Sequence, residues 1–181
     1  MTYSLFLYAV EPVAGDLSAS IIVDMLWQQN LIQSGQGSPP YAAGEQLMEF
    51  INYLGCSPTL AAGDVQASLL IHRFNRLTGL GGESVVALRY PGCGHLIEAP
   101  TALLSSPPEL GEWNCSRCDN SGRVFDINWR KSAGFSNCFI EISGIFPREA
   151  LPNDRFLELL SAFSETDWKW FYSRSSPELD L

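Results

Sequence analysis

The chain reads as an α+β protein: a mainly antiparallel sheet, three to four helices and a metal-binding excursion between two strands. Three observations carry that reading. Tyr3 to Val10 is almost continuously apolar, as a strand buried on both faces requires. Apolar residues then recur at helical spacing, and after Ser84 the pattern turns to short alternating runs around two cysteine clusters. A length of 181 residues suits one core, so a single domain over 1–181 is expected, with a metal-binding subregion at about 90–122.

The elements follow in order. Asp16 is placed to cap a helix running to about Gln33, with Leu17, Ile21, Met25 and Ile32 as its stripe, Ile22 and Leu26 beside them and Trp27 at the edge. Ser34 to Pro40 is dense in residues that stop a helix. Leu47, Phe50, Ile51 and Leu54 have the spacing of a second helix, which Gly55 would end, with Cys56 as a small core residue beyond it. Val65 to Leu77 reads as a third helix with Leu69, Leu70, Phe74 and Leu77 inward, although Ser68 to Phe74 also reads as extended. Thr78 to Gly82 should then break the chain. It matches neither phosphate-loop pattern.

Val85 to Tyr90 reads as a strand, and Phe125, Ile127 and Trp129 alternate with polar residues as another. Cys138 to Phe146 is a third, with Ile140 and Ile142 inward. Asn153 caps a helix whose face is Phe156, Leu159, Leu160 and Phe163, and Trp168 to Tyr172 forms a last, Trp-rich strand suited to a sheet edge. Ser175 to Leu181 reads as a loose tail.

Composition bounds the function. With 46% hydrophobic and 12% aromatic residues the chain lies far from the composition of disordered segments. No apolar run reaches the roughly 20 residues of a membrane helix, and the N-terminus lacks the basic start of a signal peptide. Five cysteines, an odd number, then point to reduced thiols in a cytoplasmic protein. The net charge of −9 is unevenly spread: residues 1–72 hold six acidic side chains and no Lys or Arg. Such a field opposes nucleic-acid phosphates and anionic lipid, and either keeps the protein soluble or steers a basic protein partner.

The strongest chemical signal is Cys93-Gly94-His95 followed by Cys115-Ser116-Arg117-Cys118. Thiolate and imidazole are the ligands of structural Zn2+, and two close pairs separated by a loop can meet on one ion. Gly94 permits the tight turn that this requires, since residues i and i+2 of an extended strand lie about 7 Å apart. Tyr90-Pro91-Gly92-Cys93-Gly94-His95 resembles one half of a zinc ribbon, with Tyr90 where the first cysteine of that knuckle would stand. The resemblance implies a zinc-ribbon-like insertion with Cys93, His95, Cys115 and Cys118 as metal ligands. Two alternatives stay open: Cys138 replaces His95 as the fourth ligand, or Cys115 and Cys118 form a redox pair.

No catalytic constellation accompanies the cluster. The zinc-deaminase pattern needs Glu two residues after its His, where this chain has Ile97, and Glu98 is off register. His72 reads as a hydrogen-bonded, partly buried residue rather than a base. Arg117, Arg123, Arg130 and Lys131, interleaved with Trp113, Phe125 and Trp129, have the composition of a stacking surface, but Glu109, Glu112, Asp119 and Asp126 offset them, which disfavours nucleic acid. The leading expectation is a non-enzymatic bacterial protein that binds another protein with a basic surface. It resembles in type an immunity protein, antitoxin or adaptor, with acidic contacts such as Asp16, Asp24, Glu45 and Glu49. The alternative is a zinc-ribbon nucleic-acid module or a zinc-dependent hydrolase or deaminase.

Overall fold

The computed structural model describes residues 3–33, 38–54, 67–82, 87–105, 111–145 and 149–174. Its centre is a five-stranded antiparallel sheet in the order β2-β4-β7-β1-β9. The strands are β1 (Tyr3–Ala9), β2 (Tyr41–Ala42), β4 (Ser68–Gly81), β7 (Ala133–Ser143) and β9 (Trp168–Arg174). Two further pairs, β3 (Ile51–Tyr53) with β8 (Ala150–Pro152) and β5 (Glu112–Asn114) with β6 (Ser121–Arg123), stand apart from it. Three α-helices occur among the described residues: α1 (Ala19–Gln28), α2 (Pro100–Ser105) and α3 (Asp154–Ser164). No helix among them is long and apolar enough to cross a membrane. The mixed, mainly antiparallel architecture expected from the sequence is present, with three helices in view.

Alternation along the strands builds two layers of core. Leu5, Leu7 and Ala9 of β1 and Cys138, Ile140 and Ile142 of β7 face α1 and α3, whose Ile22, Met25, Leu26, Phe156 and Leu160 complete the main cluster. Phe6, Phe139 and Phe171 form a separate cluster from the residues between them. Phe6 and Phe171 stack at 5.1 Å between ring centroids. This two-sided burial explains why β1 reads as a nearly continuous apolar run in the sequence.

Several elements differ from the sequence expectation. Ser18, not Asp16, caps α1, its hydroxyl accepting from the Ile21 N–H at 3.4 Å. The helix stops at Gln28 because Asn30 turns left-handed at φ 54°, and Ile32 leaves it to bridge Ala43. Its inward stripe is Ile22, Met25 and Leu26, leaving Ile21 and Trp27 exposed at 42% and 49%. The second expected helix shrinks to a single 3-10 turn, Leu47–Glu49, after which Ile51 joins β3.

The third expected helix is the long strand β4. Leu69, Leu70, Phe74 and Leu77 fit a helical stripe, yet pairing of β4 with β7 from Leu69↔Ile142 to Gly81↔Ala133 selects the period-2 reading. Leu69 enters the main core while His72 and Phe74 face the opposite side. The strand also runs through Thr78 and Gly79, where a break was expected, its register shifting between Arg73 and Thr78.

Ala87 at φ 55° and an isolated Arg89↔Leu96 bridge replace the strand expected over Val85 to Tyr90, of which 85–86 lie outside the described residues. The expected strand through Phe125 and Trp129 is instead a 3-10 turn, Val124–Asp126, closed by the Trp129 indole donating to the Val124 carbonyl at 2.9 Å. Ile127 and Trp129 are buried as expected, but Phe125 is 39% exposed. By contrast Asn153 caps α3, accepting from the Phe156 N–H at 3.0 Å, and β9 lies at the sheet edge with Trp168 and Tyr172 buried. Residues 34–37, Gly55, Cys56, Val65, Phe146 and the 175–181 tail lie outside the described residues.

Candidate metal centre

A second cluster of buried residues, separate from the main core but reaching the start of β7, carries the cysteines. It comprises Leu88, Ile97, Trp113, Cys115, Val124, Ile127, Trp129, Ala133 and Phe135, with Tyr90 and Cys93 packed against it. Two short loops rise from this cluster.

The first loop is held by three backbone hydrogen bonds and one from a side chain. The Ile97 N–H donates to the Leu88 carbonyl at 2.9 Å and the Tyr90 N–H to the His95 carbonyl at 2.9 Å. Inside this frame the Gly94 N–H donates to the Tyr90 carbonyl at 3.0 Å, and the Arg89 guanidinium donates to the Gly94 carbonyl at 2.7 Å. Gly92 at φ 84° and Gly94 at φ 68° take backbone conformations that L-residues resist, and this turn brings Cys93 and His95 to the same side.

The second loop closes the β5–β6 hairpin. Cys115 donates its N–H to the Asn120 carbonyl at 2.8 Å, while its own carbonyl accepts from Cys118 at 3.2 Å and Asp119 at 2.9 Å. Asp119, left-handed at φ 55°, turns the chain back into β6. The Tyr90 and Trp113 rings, 5.1 Å apart, join the bases of the two loops.

The result places the three Sγ atoms and one imidazole nitrogen within 4.8 Å of one another. Cys115 Sγ lies 3.4 Å from His95 Nδ1. A tetrahedral ion with metal–sulfur bonds of about 2.3 Å and metal–nitrogen bonds of about 2.05 Å would hold S and N about 3.6 Å apart. That one separation matches a tetrahedral ion, and the four residues form a Cys3His set that could bind a metal. Cys115 is buried, Cys93 is half-buried and Cys118 is exposed at the solvent edge.

The thiols share protons unequally. Burial works to raise Cys115, but the Arg117 N–H and the side chains of His95, Cys118 and Cys93 outweigh it and bring its pKa down to about 6. The Asn120 N–H favours the Cys118 thiolate, yet burial and the neighbouring Cys93 and Cys115 sulfurs push Cys118 up to about 11. One negative charge is welcome among these sulfurs and a second is resisted, which a bound cation would reverse. Burial, then the charges of Cys115, Glu98 and Cys93, also raises the Tyr90 hydroxyl.

The alternative with Cys138 as fourth ligand is corrected by the fold. Cys138 lies in the main core on β7, fully buried, and its thiol is pushed up to about 11 by burial, with Arg73 opposing. Glu98 does not join the four donors either. Cys115 and Cys118 sit in a hairpin loop rather than at the helix start of a thioredoxin-like βαβ unit.

One polar cluster was not legible in the sequence. His72 lies on β4 rather than a helix, and its Nε2 is 2.9 Å from Glu141 Oε2, while Ser4 Oγ donates to Glu141 Oε1 at 2.6 Å. The three come from adjacent strands and are far apart along the chain. Glutamate stands between histidine and serine, so His72 does not reach the hydroxyl to activate it. Compared with known proteins, the chain matches no family model, no curated protein and no solved structure.

Proposed function

We propose that Cys93, His95, Cys115 and Cys118 bind one structural Zn2+ in a zinc-ribbon-like insertion, and that the protein acts by binding another protein rather than by catalysis. The observation that carries this reading is the convergence of four soft or borderline donors within 4.8 Å. Four protein ligands complete a tetrahedral shell and leave no position for the water or substrate that a catalytic zinc needs. The ion would tie the first loop to the hairpin and stiffen the second core, within a single domain spanning 1–181.

The recognition half of the proposal draws on α1. Ile21 and Trp27 are exposed on it, and Asp24 lies exposed between them, with Asp16 exposed just before the helix and Glu45 and Glu49 exposed farther on. An exposed tryptophan beside carboxylates is the composition of a contact surface for a basic protein. We read the protein accordingly as a cytoplasmic bacterial protein of the immunity, antitoxin or adaptor type.

Native mass spectrometry of freshly reduced protein tests the metal half. One zinc per chain is expected, lost in Cys115→Ser and His95→Ala; protein without metal overturns it. Cobalt substitution then reports the coordination shell. A tetrahedral thiolate spectrum unmoved by small anions supports a closed site, and an anion-sensitive one would turn the reading toward a zinc hydrolase. For the recognition half, a variant with Asp16, Asp24, Glu45 and Glu49 changed to their amides should associate more slowly with a captured partner and with a flatter salt dependence.

A further inference from the structure

The four donors come as two pairs on two loops, and only one pair can bond to itself within a single turn. We propose that peroxide unlatches this centre: Cys115 and Cys118 join in a disulfide, the metal leaves, and the 88–97 loop comes free of the β5–β6 hairpin. Regulation of this kind presupposes the structural Zn2+ proposed above.

The turn at the tip of the hairpin prepares the two sulfurs for bonding. The Cys118 N–H donates to the Cys115 carbonyl at 3.2 Å, which closes Cys115-Ser116-Arg117-Cys118 as a four-residue turn. Such a turn keeps its first and last Cα atoms within about 7 Å, and a disulfide needs about 4.4–6.8 Å. All four donor atoms lie within 4.8 Å of one another, so side-chain rotation is enough to bring these two sulfurs together. Cys93 shares the cluster but sits on the other loop, whose backbone is fixed by its own hydrogen bonds.

Exposure orders the steps. Cys118 stands exposed, Cys115 is buried and Cys93 is half-buried. Hydrogen peroxide therefore meets Cys118 first. The Cys118 sulfur attacks one peroxide oxygen, the O–O bond breaks, and a sulfenic acid forms while the other oxygen takes a proton from solvent and leaves as water. The Cys115 sulfur then attacks the Cys118 sulfur, forming the S–S bond and expelling the remaining oxygen, which leaves with a second solvent proton as water. Two thiolates, two protons and one peroxide thus give one disulfide and two waters, with sulfur oxidised and oxygen reduced. Cys138, enclosed in the main core, takes no part.

The bond removes both hairpin ligands at once. Cys93 and His95 alone make half of a tetrahedral shell, too little to hold a structural Zn2+. The loops are then joined by the Tyr90–Trp113 ring contact at 5.1 Å and by shared packing in the second core. The hairpin keeps its ladder and gains a covalent tie across its turn. The first loop loses its anchor, and Leu88 and Ile97, only 1% and 5% exposed, are the apolar side chains that its release uncovers.

Treatment of the zinc-loaded full chain with hydrogen peroxide tests this. Zinc release, followed with a chromophoric chelator, should match the amount of Cys115–Cys118 disulfide found by mass spectrometry of alkylated peptides. Dithiothreitol with added zinc should restore the starting state. Hydrogen exchange should lose protection at 88–97 and keep it at 112–123, whereas a chelator alone loosens both. Cys118→His, which keeps a Cys2His2 ligand set, should hold its zinc through the same treatment, and Cys138→Ala should respond as the wild type does. Zinc retained under excess peroxide, with every thiol still open to alkylation after denaturation, overturns the switch and leaves the metal reading standing. A disulfide from Cys93 to either hairpin cysteine also overturns it, because that bond fastens the loops together. Reduced protein that never holds zinc overturns the metal reading and the switch with it.

Discussion

Cys115 Sγ and His95 Nδ1 lie 3.4 Å apart, although they belong to different loops. That contact is where the first loop meets the β5–β6 hairpin. His95→Ala should therefore reduce metal affinity by on the order of 100-fold or more, whereas His95→Cys should keep it within about tenfold. Competition against a chromophoric chelator measures both, and equal affinity in wild type and His95→Ala would remove His95 from the site.

Metal removal should act locally. The cysteine loops pack on the cluster of Trp113, Val124 and Trp129, while β1, α3 and the part of β7 from Cys138 to Ile142 share a different core. Chelation is expected to abolish hydrogen-exchange protection at 88–97 and 112–126 before that of β1 and β7. Uniform loss of protection across the chain would show that the two cores unfold as one.

Acid should release the metal in two stages. Cys118, pushed up to about 11, must lose its proton on binding at any neutral pH, while Cys115, brought down to about 6, is already ionised above that value. Affinity should fall about tenfold per pH unit for each proton displaced, and fall more steeply below pH 6 where Cys115 must also be deprotonated. Zinc affinity measured across pH 5 to 8 checks the change of slope.

Alkali should weaken the main core through Cys138. Its thiol is raised to about 11 by burial from an ordinary value of 9.0, so the folded state holds the proton more tightly than the unfolded one. The stability it contributes is complete below pH 9 and is lost as pH rises from 9 to 11, by on the order of 2–3 kcal/mol. Denaturant unfolding of wild type and Cys138→Ala should show this loss in the wild type alone, on top of a pH-independent cavity cost of about 1–2 kcal/mol in the variant.

Glu141 accepts from Ser4 and contacts His72 on neighbouring strands while only 8% exposed. Glu141→Ala removes an acceptor from both and should cost about 3–5 kcal/mol; Glu141→Gln, which keeps a carbonyl oxygen, should cost less. Equal losses in the two variants would mean that packing, not the polar chain, sets the value.

Local chemistry was legible without coordinates wherever the signal lay within a few residues. Asn153 capping α3, Ile140 and Ile142 pointing inward from β7, and the Trp-rich edge strand β9 each follow from a cap, an alternation or a run. The Cys93–His95 and Cys115–Cys118 pairs were legible for the same reason, since thiol and imidazole at short spacing have few other uses.

Tertiary structure decided what the sequence left degenerate. Leu69, Leu70, Phe74 and Leu77 satisfy a helical stripe and a strand about equally, and only pairing with β7 selects β4. The choice of His95 over Cys138 required the fold, because β7 carries Cys138 into a core that the cysteine loops do not enter. Glu141 with His72, and Lys131 over the Trp170 ring, are likewise contacts between strands and loops distant along the chain. Amino-acid order determines which groups exist and their local backbone preferences; sheet register and burial determine which of them meet.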